Sequence, residues 1–328
     1  MKELLNNKKS VSYVGLIFVV FVWGTGPLIS KYFLDYYSPT FGVAWSSVVS
    51  VVALALMLRK RLKEINLDYF KVAIPLGVFY TGANLMQKIG LQYTTPTIYS
   101  FLENLSCLVV PFLTWWFIKK KPALLQILGS LVCLASAFVL SGLGTKQTGF
   151  SLGFGEILCG LAGIFYGVNI AGTGAFTKKF DSALYIMILL AVESVLSFIV
   201  AIAFHFIQIN GAPIEAIRFS WNPLLLLTRI AFVLISSTLC WVIRTNSMKY
   251  VDATVVAVMM PFSSIIAGTL SVLVGMDELT LNLVLGAVLG FIAMIICALG
   301  DMRSDKKEKN RLIKIDSCEV DYEKNKNS

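Results

Sequence analysis

A succession of long apolar runs, joined by short polar connections that hold most of the charge, constrains this chain more than any other feature. A helix of about 20 apolar residues matches the roughly 30 Å hydrocarbon layer of a bilayer. Ten such runs are marked, at 12–33, 40–58, 69–90, 95–118, 123–142, 152–175, 182–208, 222–246, 253–274 and 280–300. Inside a bilayer every backbone N–H and C=O must be paired within the protein, so runs of this length are helices. The expected fold class is an all-α integral membrane protein with ten transmembrane helices. Composition agrees: 57% of the 328 residues are apolar and only 14% are charged, against about 25% charged in soluble domains. An ordinary soluble enzyme, a disordered chain and a nucleic-acid-binding domain are excluded.

The net charge of +9 does not point to nucleic acid, because Lys and Arg sit in short clusters between the runs. With the N-terminus inside, 23 of the 28 Lys and Arg fall on the cytoplasmic side. That set includes Arg59, Lys60 and Arg61, the Lys119–Lys121 triplet, and Arg244 and Lys249. Lys31, Lys88, Lys146 and Arg218 fall outside, and Arg229 lies within a span. Cytoplasmic loops carry the excess of basic residues. An even number of spans with both termini cytoplasmic, in the plasma or inner membrane, is therefore expected. The first run is longer than a signal-peptide core and no small-residue cleavage site follows, so it reads as a retained span. The six cysteines form no C-x-x-C pair, and five lie inside apolar runs, where a thiol acts as a small packing residue. Residues 304–328 are polar and charged and read as a disordered cytoplasmic tail.

The chain also repeats. A shift of 157 places Tyr93 on Tyr250, Thr97 on Thr254, Ser106 on Ser263 and Gly129 on Gly286. Five spans per half is an odd number, so the halves, 1–145 and 146–303, must be inverted relative to one another. Inverted repeats typically build transporters whose site lies near the midplane between the repeats.

These features resemble the drug/metabolite transporter superfamily, EamA type. The resemblance rests on Trp23-Gly24 in the first span, on Gly90–Thr97 (GLQYTTPT) entering the fourth, and on Tyr250–Thr254 (YVDAT), Met259–Ser264 (MMPFSS) and Asp277–Thr280 (DELT) in the second half. It covers about residues 12–300 and implies a secondary transporter, usually an exporter of small metabolites, with a central cavity lined by both repeats. Two positions depart from the family's pattern. Lys119-Lys120-Lys121 replaces the acidic residue that often ends the fourth helix, and Trp45 stands where a basic residue is common in the second.

Candidate site residues follow from depth and chemistry. Glu103 and Glu193 fall well inside spans, where an ionised carboxylate costs about 2.5–3.5 kcal/mol or more and so faces a partner or a cavity. Glu103 suits proton coupling or cation binding, and its bland alternative is a hydrogen-bonded packing carboxyl. Arg229 is expected to snorkel to the outer surface, with pairing to Glu193 or an anionic substrate as the sharper alternative. Trp23, Tyr80, Tyr166 and Trp241 could stack on a planar or cationic substrate, or simply pack. Asn84, Gln87, Asn104 and Asn169 could bond substrate or join helix to helix. Gly163 and Gly167 have the spacing of close helix packing. No phosphate-binding loop or dinucleotide motif is present, and one histidine, His205, cannot form a zinc motif. No cofactor or metal is expected, and ATP cannot drive transport directly. The expected partners are a small-molecule substrate, protons and the lipid bilayer, in a monomer or homodimer. The expected function is secondary export of small organic metabolites, amino acids or related compounds. A channel-like facilitator or an uptake carrier is the alternative, and a membrane lipid enzyme lacks the clustered nucleophiles it needs.

Overall fold

The computed structural model describes residues 2–94, 96–103, 105–119, 121–140, 153–209 and 212–275, with most of 281–300 and Arg303. Twelve helices are delimited: α1 Lys2–Phe33, α2 Pro39–Met57, α3 Leu67–Tyr93, α4 Pro96–Glu103, α5 Ser106–Ile118, α6 Leu124–Leu140, α7 Phe154–Phe176, α8 Ser182–Phe206, α9 Pro223–Val233, α10 Cys240–Ser247, α11 Ala253–Met259 and α12 Phe262–Leu273. Further helical residues lie between 281 and 300. Among the described residues, six helical stretches are long and apolar enough to cross a membrane: 8–33, 39–57, 154–176, 182–206, 223–247 and 253–273. The fold is that of an all-α membrane protein.

Polar residues at the ends of the apolar runs start the helices. Asn66, Asp181, Asn222 and Asp252 are N-caps whose side chains accept from backbone N–H groups one or two residues into the helix. Pro39 and Pro223 occupy first-turn positions, where the missing N–H costs nothing. α3 stops at Tyr93, where Thr94 turns to extended backbone, and Pro96 opens α4.

The structure differs from the sequence reading in five places. α1 begins at Lys2 rather than near residue 12, because no Gly or Pro interrupts residues 2–14. The fourth run is two helices, α4 and α5, and the ninth is also two, α11 and α12, the latter divided at Met260-Pro261. The eighth run carries a π-helical segment, Leu234–Leu239, between α9 and α10. After α8 the chain forms a small antiparallel hairpin, β1 Gln208–Ile209 with β2 Ala212–Pro213, where only a loop was expected. The tail 304–328, Lys146 and the Asp277-Glu278 turn lie outside the described residues.

α3 packs on α7 and α8, α2 on α8, α5 on α7, and α1 on α10 and α12. Close packing needs small residues. A Cβ on Gly163 would lie 2.5 Å from the Leu102 carbonyl, so α7 runs directly against α4 there. Large apolar side chains such as Phe21, Leu56, Trp116, Ile199 and Leu227 point outward and are exposed, as suits hydrocarbon rather than water.

At the end of the bundle holding the α2–α3 turn, Arg61 joins Glu64 at 2.8 Å and Asp181 at 3.1 Å, which ties that turn to the start of α8. Burial pushes the Asp181 carboxyl up, but the Leu184 N–H, the Arg61 guanidinium and the Ala183 N–H outweigh it and hold the group below its ordinary value. A carboxyl lowered by folding contributes stability that is complete above the unfolded pKa, about 4, and is lost as pH falls through the folded value. Asp181→Ala should cost about 1 kcal/mol. In thermal melts in detergent, its difference from wild type should be flat from neutral pH to about pH 5 and shrink only below about pH 4.

Candidate functional site

Two adjoining cavities lie between the helices. The first, about 80 Å³, starts at the α1–α2 loop and is bounded by Phe33, Tyr37, Gly42, Ser47, Glu193 and Arg229. The second, about 140 Å³, goes deeper and is walled by Trp23, Tyr80, Glu103, Tyr166, Trp241 and Arg244. Ser30, Asn84, Lys88, Phe232 and Ser237 line both. The walls come from both halves of the chain: α1, α3 and α4 on one side, α7 and residues 223–247 on the other.

Side chains facing these cavities are mostly paired. Tyr166 Oη donates to Gln87 Oε1 at 2.8 Å, and Gln87 Nε2 donates to Glu103 Oε2 at 2.7 Å, making a relay across α7, α3 and α4. Lys88 Nζ donates to Ser30 Oγ at 2.9 Å and to Tyr99 Oη at 3.3 Å. Glu193 is 1% exposed. It accepts from Ser47 Oγ at 2.5 Å and Asn84 Nδ2 at 2.7 Å, so one carboxylate joins α2, α3 and α8.

Arg229 does not snorkel. Its Nη2 donates to the Gly42 carbonyl at 3.0 Å and to Ser46 Oγ at 3.1 Å, and the guanidinium lies 4.4 Å from the Tyr37 ring and 5.1 Å from Phe33. The physical reason is local: α2 offers acceptors at Gly42 and Ser46 and the α1 end offers two aromatic faces, so the Nη2 end of the cation is bonded within the protein while its Nε is buried without a partner among the described residues. No ion pair joins Arg229 to Glu193 among the described residues, although both border the first cavity.

The aromatic candidates cluster. Trp23 and Trp241 have ring centroids 5.2 Å apart, and Tyr80 meets Trp241 edge-on at 4.6 Å. Trp23 Nε1 donates to the Ser236 carbonyl at 3.0 Å. Ser236 lies in the π-helical segment, a feature found often at functional sites. Asn84 and Glu103 also line the cavity. Asn169 does not: it is fully buried, and its Nδ2 donates to the Leu76 carbonyl at 3.2 Å, joining α7 to α3. Asn104 lies outside the described residues.

Two cations at the site were assigned elsewhere from sequence. Lys88 was counted as external and Arg244 as cytoplasmic, since each stands near the end of an apolar run. Arg244 is three residues from the end of α10. Its side chain nevertheless turns inward, with the guanidinium 4.4 Å from the Trp241 ring and 5.8 Å from Trp23, and it is 1% exposed. The signal was available: side chains on a helix lean toward its N-terminus, so a basic residue at a C-terminal end leans back into the bundle, here onto Trp241 one turn earlier.

Residues 10–142 match the EamA-like transporter family. An uncharacterized transporter of Archaeoglobus fulgidus is 25% identical over 293 residues, covering 89% of this chain and 87% of its own length. A protein of known crystal structure has the same fold at a TM-score of 0.70 and 14% identity, covering 90% of this chain and 98% of that one. Residues 10–142 are thus EamA-like, as the sequence resemblance implied, and the chain has a transporter relative over most of its length. These matches, with the apolar helices, point to a multi-pass membrane transporter rather than an enzyme.

Gly42 is where Arg229 meets α2, and a Cβ there would lie 2.9 Å from Arg229 Nη2. Gly42→Ala should push the guanidinium off its acceptor and cost roughly 1–3 kcal/mol in a thermal melt. Combined with Arg229→Ala, it should cost clearly less than the sum of the two single changes. Strict additivity would mean that the two positions do not touch.

Proposed function

We propose that this chain is a secondary transporter that exports small organic metabolites, amino acids or related compounds, by alternating access and with proton coupling or a substrate gradient. Its ten spans form two inverted five-helix repeats with both termini cytoplasmic. The observation that carries this reading is a polar cavity walled by both halves of the chain, beside the turns at Leu105 and at Met260-Pro261 that divide two spans. α4 ends at Glu103 and α5 starts at Ser106, while α11 ends at Met259 and α12 starts at Phe262. The 157-residue shift brings these positions to within one residue of each other. The two broken spans touch each other, with Ser264 Oγ donating to the Ser100 carbonyl at 2.8 Å. Helix pairing also echoes between the halves: α3 packs on α7 as α10 packs on α1, and α5 on α7 as α12 on α1. Broken helices at mid-depth between inverted repeats are where transporter sites form.

Turning Arg244 and Lys88 inward removes one residue from each side of the Lys/Arg count, so the bias toward cytoplasmic termini stands. In this reading Glu103 is the coupling group: it accepts a hydrogen bond from Gln87 and borders the cavity. Trp23, Tyr80, Tyr166 and Trp241 hold the substrate's body, Asn84 contributes polar contact, and Glu193 and Arg229 fix the helices around the first cavity.

Purified protein in liposomes tests this reading. A carrier gives saturable, counterflow-competent uptake of its substrate from a metabolite panel. Non-saturable flux would mark a channel, and lipid turnover an enzyme. Glu103→Gln keeps shape and hydrogen bonding but removes the titration. It should abolish accumulation against a gradient while retaining exchange. Normal transport with an unchanged pH profile would remove Glu103 from coupling.

A further inference from the structure

We propose that Arg244 anchors a carboxylate on the transported substrate, so that the substrate class is an organic monocarboxylate with an apolar or aromatic body. The proposal rests on the reading of this cavity as the transport site and specifies its chemistry.

Arg244 differs from every other charged side chain facing the two cavities. Glu193, Glu103, Lys88 and Arg229 each have a hydrogen-bond partner. The Arg244 Nε, Nη1 and Nη2 atoms are buried and none has a partner among the described residues. Leaving a buried cation without a partner is strongly unfavourable. An unpaired arginine persisting inside a membrane span marks a site whose counter-ion arrives from elsewhere. Two aromatic rings make the bare state tolerable, Trp241 at 4.4 Å and Trp23 at 5.8 Å from the guanidinium. They satisfy the cation's face and leave its N–H edge without an acceptor. Arg244 is among the residues that line the deeper cavity.

The shape of the missing partner follows. Guanidinium presents a planar fork that matches a carboxylate through two parallel hydrogen bonds, and shielding from water makes such a pair strong. A dianion such as a phosphate monoester fits less well, because Glu103 borders the same cavity and opposes a second negative charge. Lys88 is already bonded to Ser30 and Tyr99. Beside the anchor lies Trp241, whose ring meets both Trp23 and Tyr80, and these three rings suit an apolar or aromatic body.

The test is thermal stabilisation of the detergent-purified full chain by three probes of one shape: phenylacetate, phenylacetamide and phenyl phosphate. A ligand that binds the folded state raises its apparent stability. Phenylacetate should stabilise the protein most. Arg244→Gln should weaken its apparent affinity by roughly tenfold or more and abolish its advantage over the amide. Arg244→Lys, which keeps the charge but not the fork, should retain part of it. Equal stabilisation by the acid and the amide, no stabilisation by any of a series of monocarboxylates, or an undiminished preference in Arg244→Gln would overturn the proposal. A stronger effect of phenyl phosphate would overturn the carboxylate assignment. Should Arg244→Gln fail to fold, the wild-type comparison of acid with amide and the Arg244→Lys variant still decide. Binding is read here without transport: carboxylate binding without counterflow would sink the transporter reading alone, and counterflow without carboxylate preference would sink the anchor alone.

Discussion

Hydrocarbon offers no partner to a charge, and the arrangement of this molecule follows from that constraint. Lys88, Glu103, Glu193, Arg229 and Arg244 all turn into the bundle, where they line two cavities. Each placement recruits other helices. Glu193 draws Ser47 of α2 and Asn84 of α3 to α8, and Arg229 draws Gly42 and Ser46 of α2 to α9. Glu103 draws Gln87, and through it Tyr166, so that α3, α4 and α7 meet around one carboxylate. These bonds set which helix faces look inward, and the opposite faces, rich in exposed Phe, Leu, Ile and Trp, are left to the lipid.

The same constraint governs backbone irregularity. A broken helix is tolerated in a membrane where its freed groups meet protein or line a cavity. The two divided spans pack against one another, α4 on α12 and α5 on α11. In the π-helical segment, the carbonyl of Ser236 takes the Trp23 indole N–H, so an aromatic wall of the cavity is held by an irregular stretch of backbone. Irregularity and site coincide because the cavity is where non-helical backbone can be accommodated.

Much of this was legible from residues alone. Hydropathy located the described helices, since a bilayer demands runs of a fixed length, and the Met259–Ser264 segment carries the proline, Pro261, at which α11 and α12 divide. Glu103, Trp23, Tyr80, Asn84, Tyr166 and Trp241 were read as cavity candidates and do border it. Arg229, Asn169, Lys88 and Arg244 were not legible in the same way. Depth in a span says that a polar group needs a partner but not which helix supplies it. Asn169 found a backbone carbonyl on α3 instead of the cavity, and Arg229 found one on α2 instead of the surface. Arg244 was misread because proximity to a basic loop was allowed to outweigh the lean of its side chain along the helix.

Alternating access requires that one site be reached from each side of the membrane in turn. Ser237 lines both cavities and lies in the π-helical segment. The most direct measurement is reaction of a Ser237→Cys variant, in a chain whose native cysteines are replaced, with a membrane-impermeant maleimide applied to either face of oriented vesicles. Labelling from both faces, with each rate shifted in opposite directions by a transported substrate, is the expected result. Labelling from a single face, whatever substrate is present, would contradict alternating access.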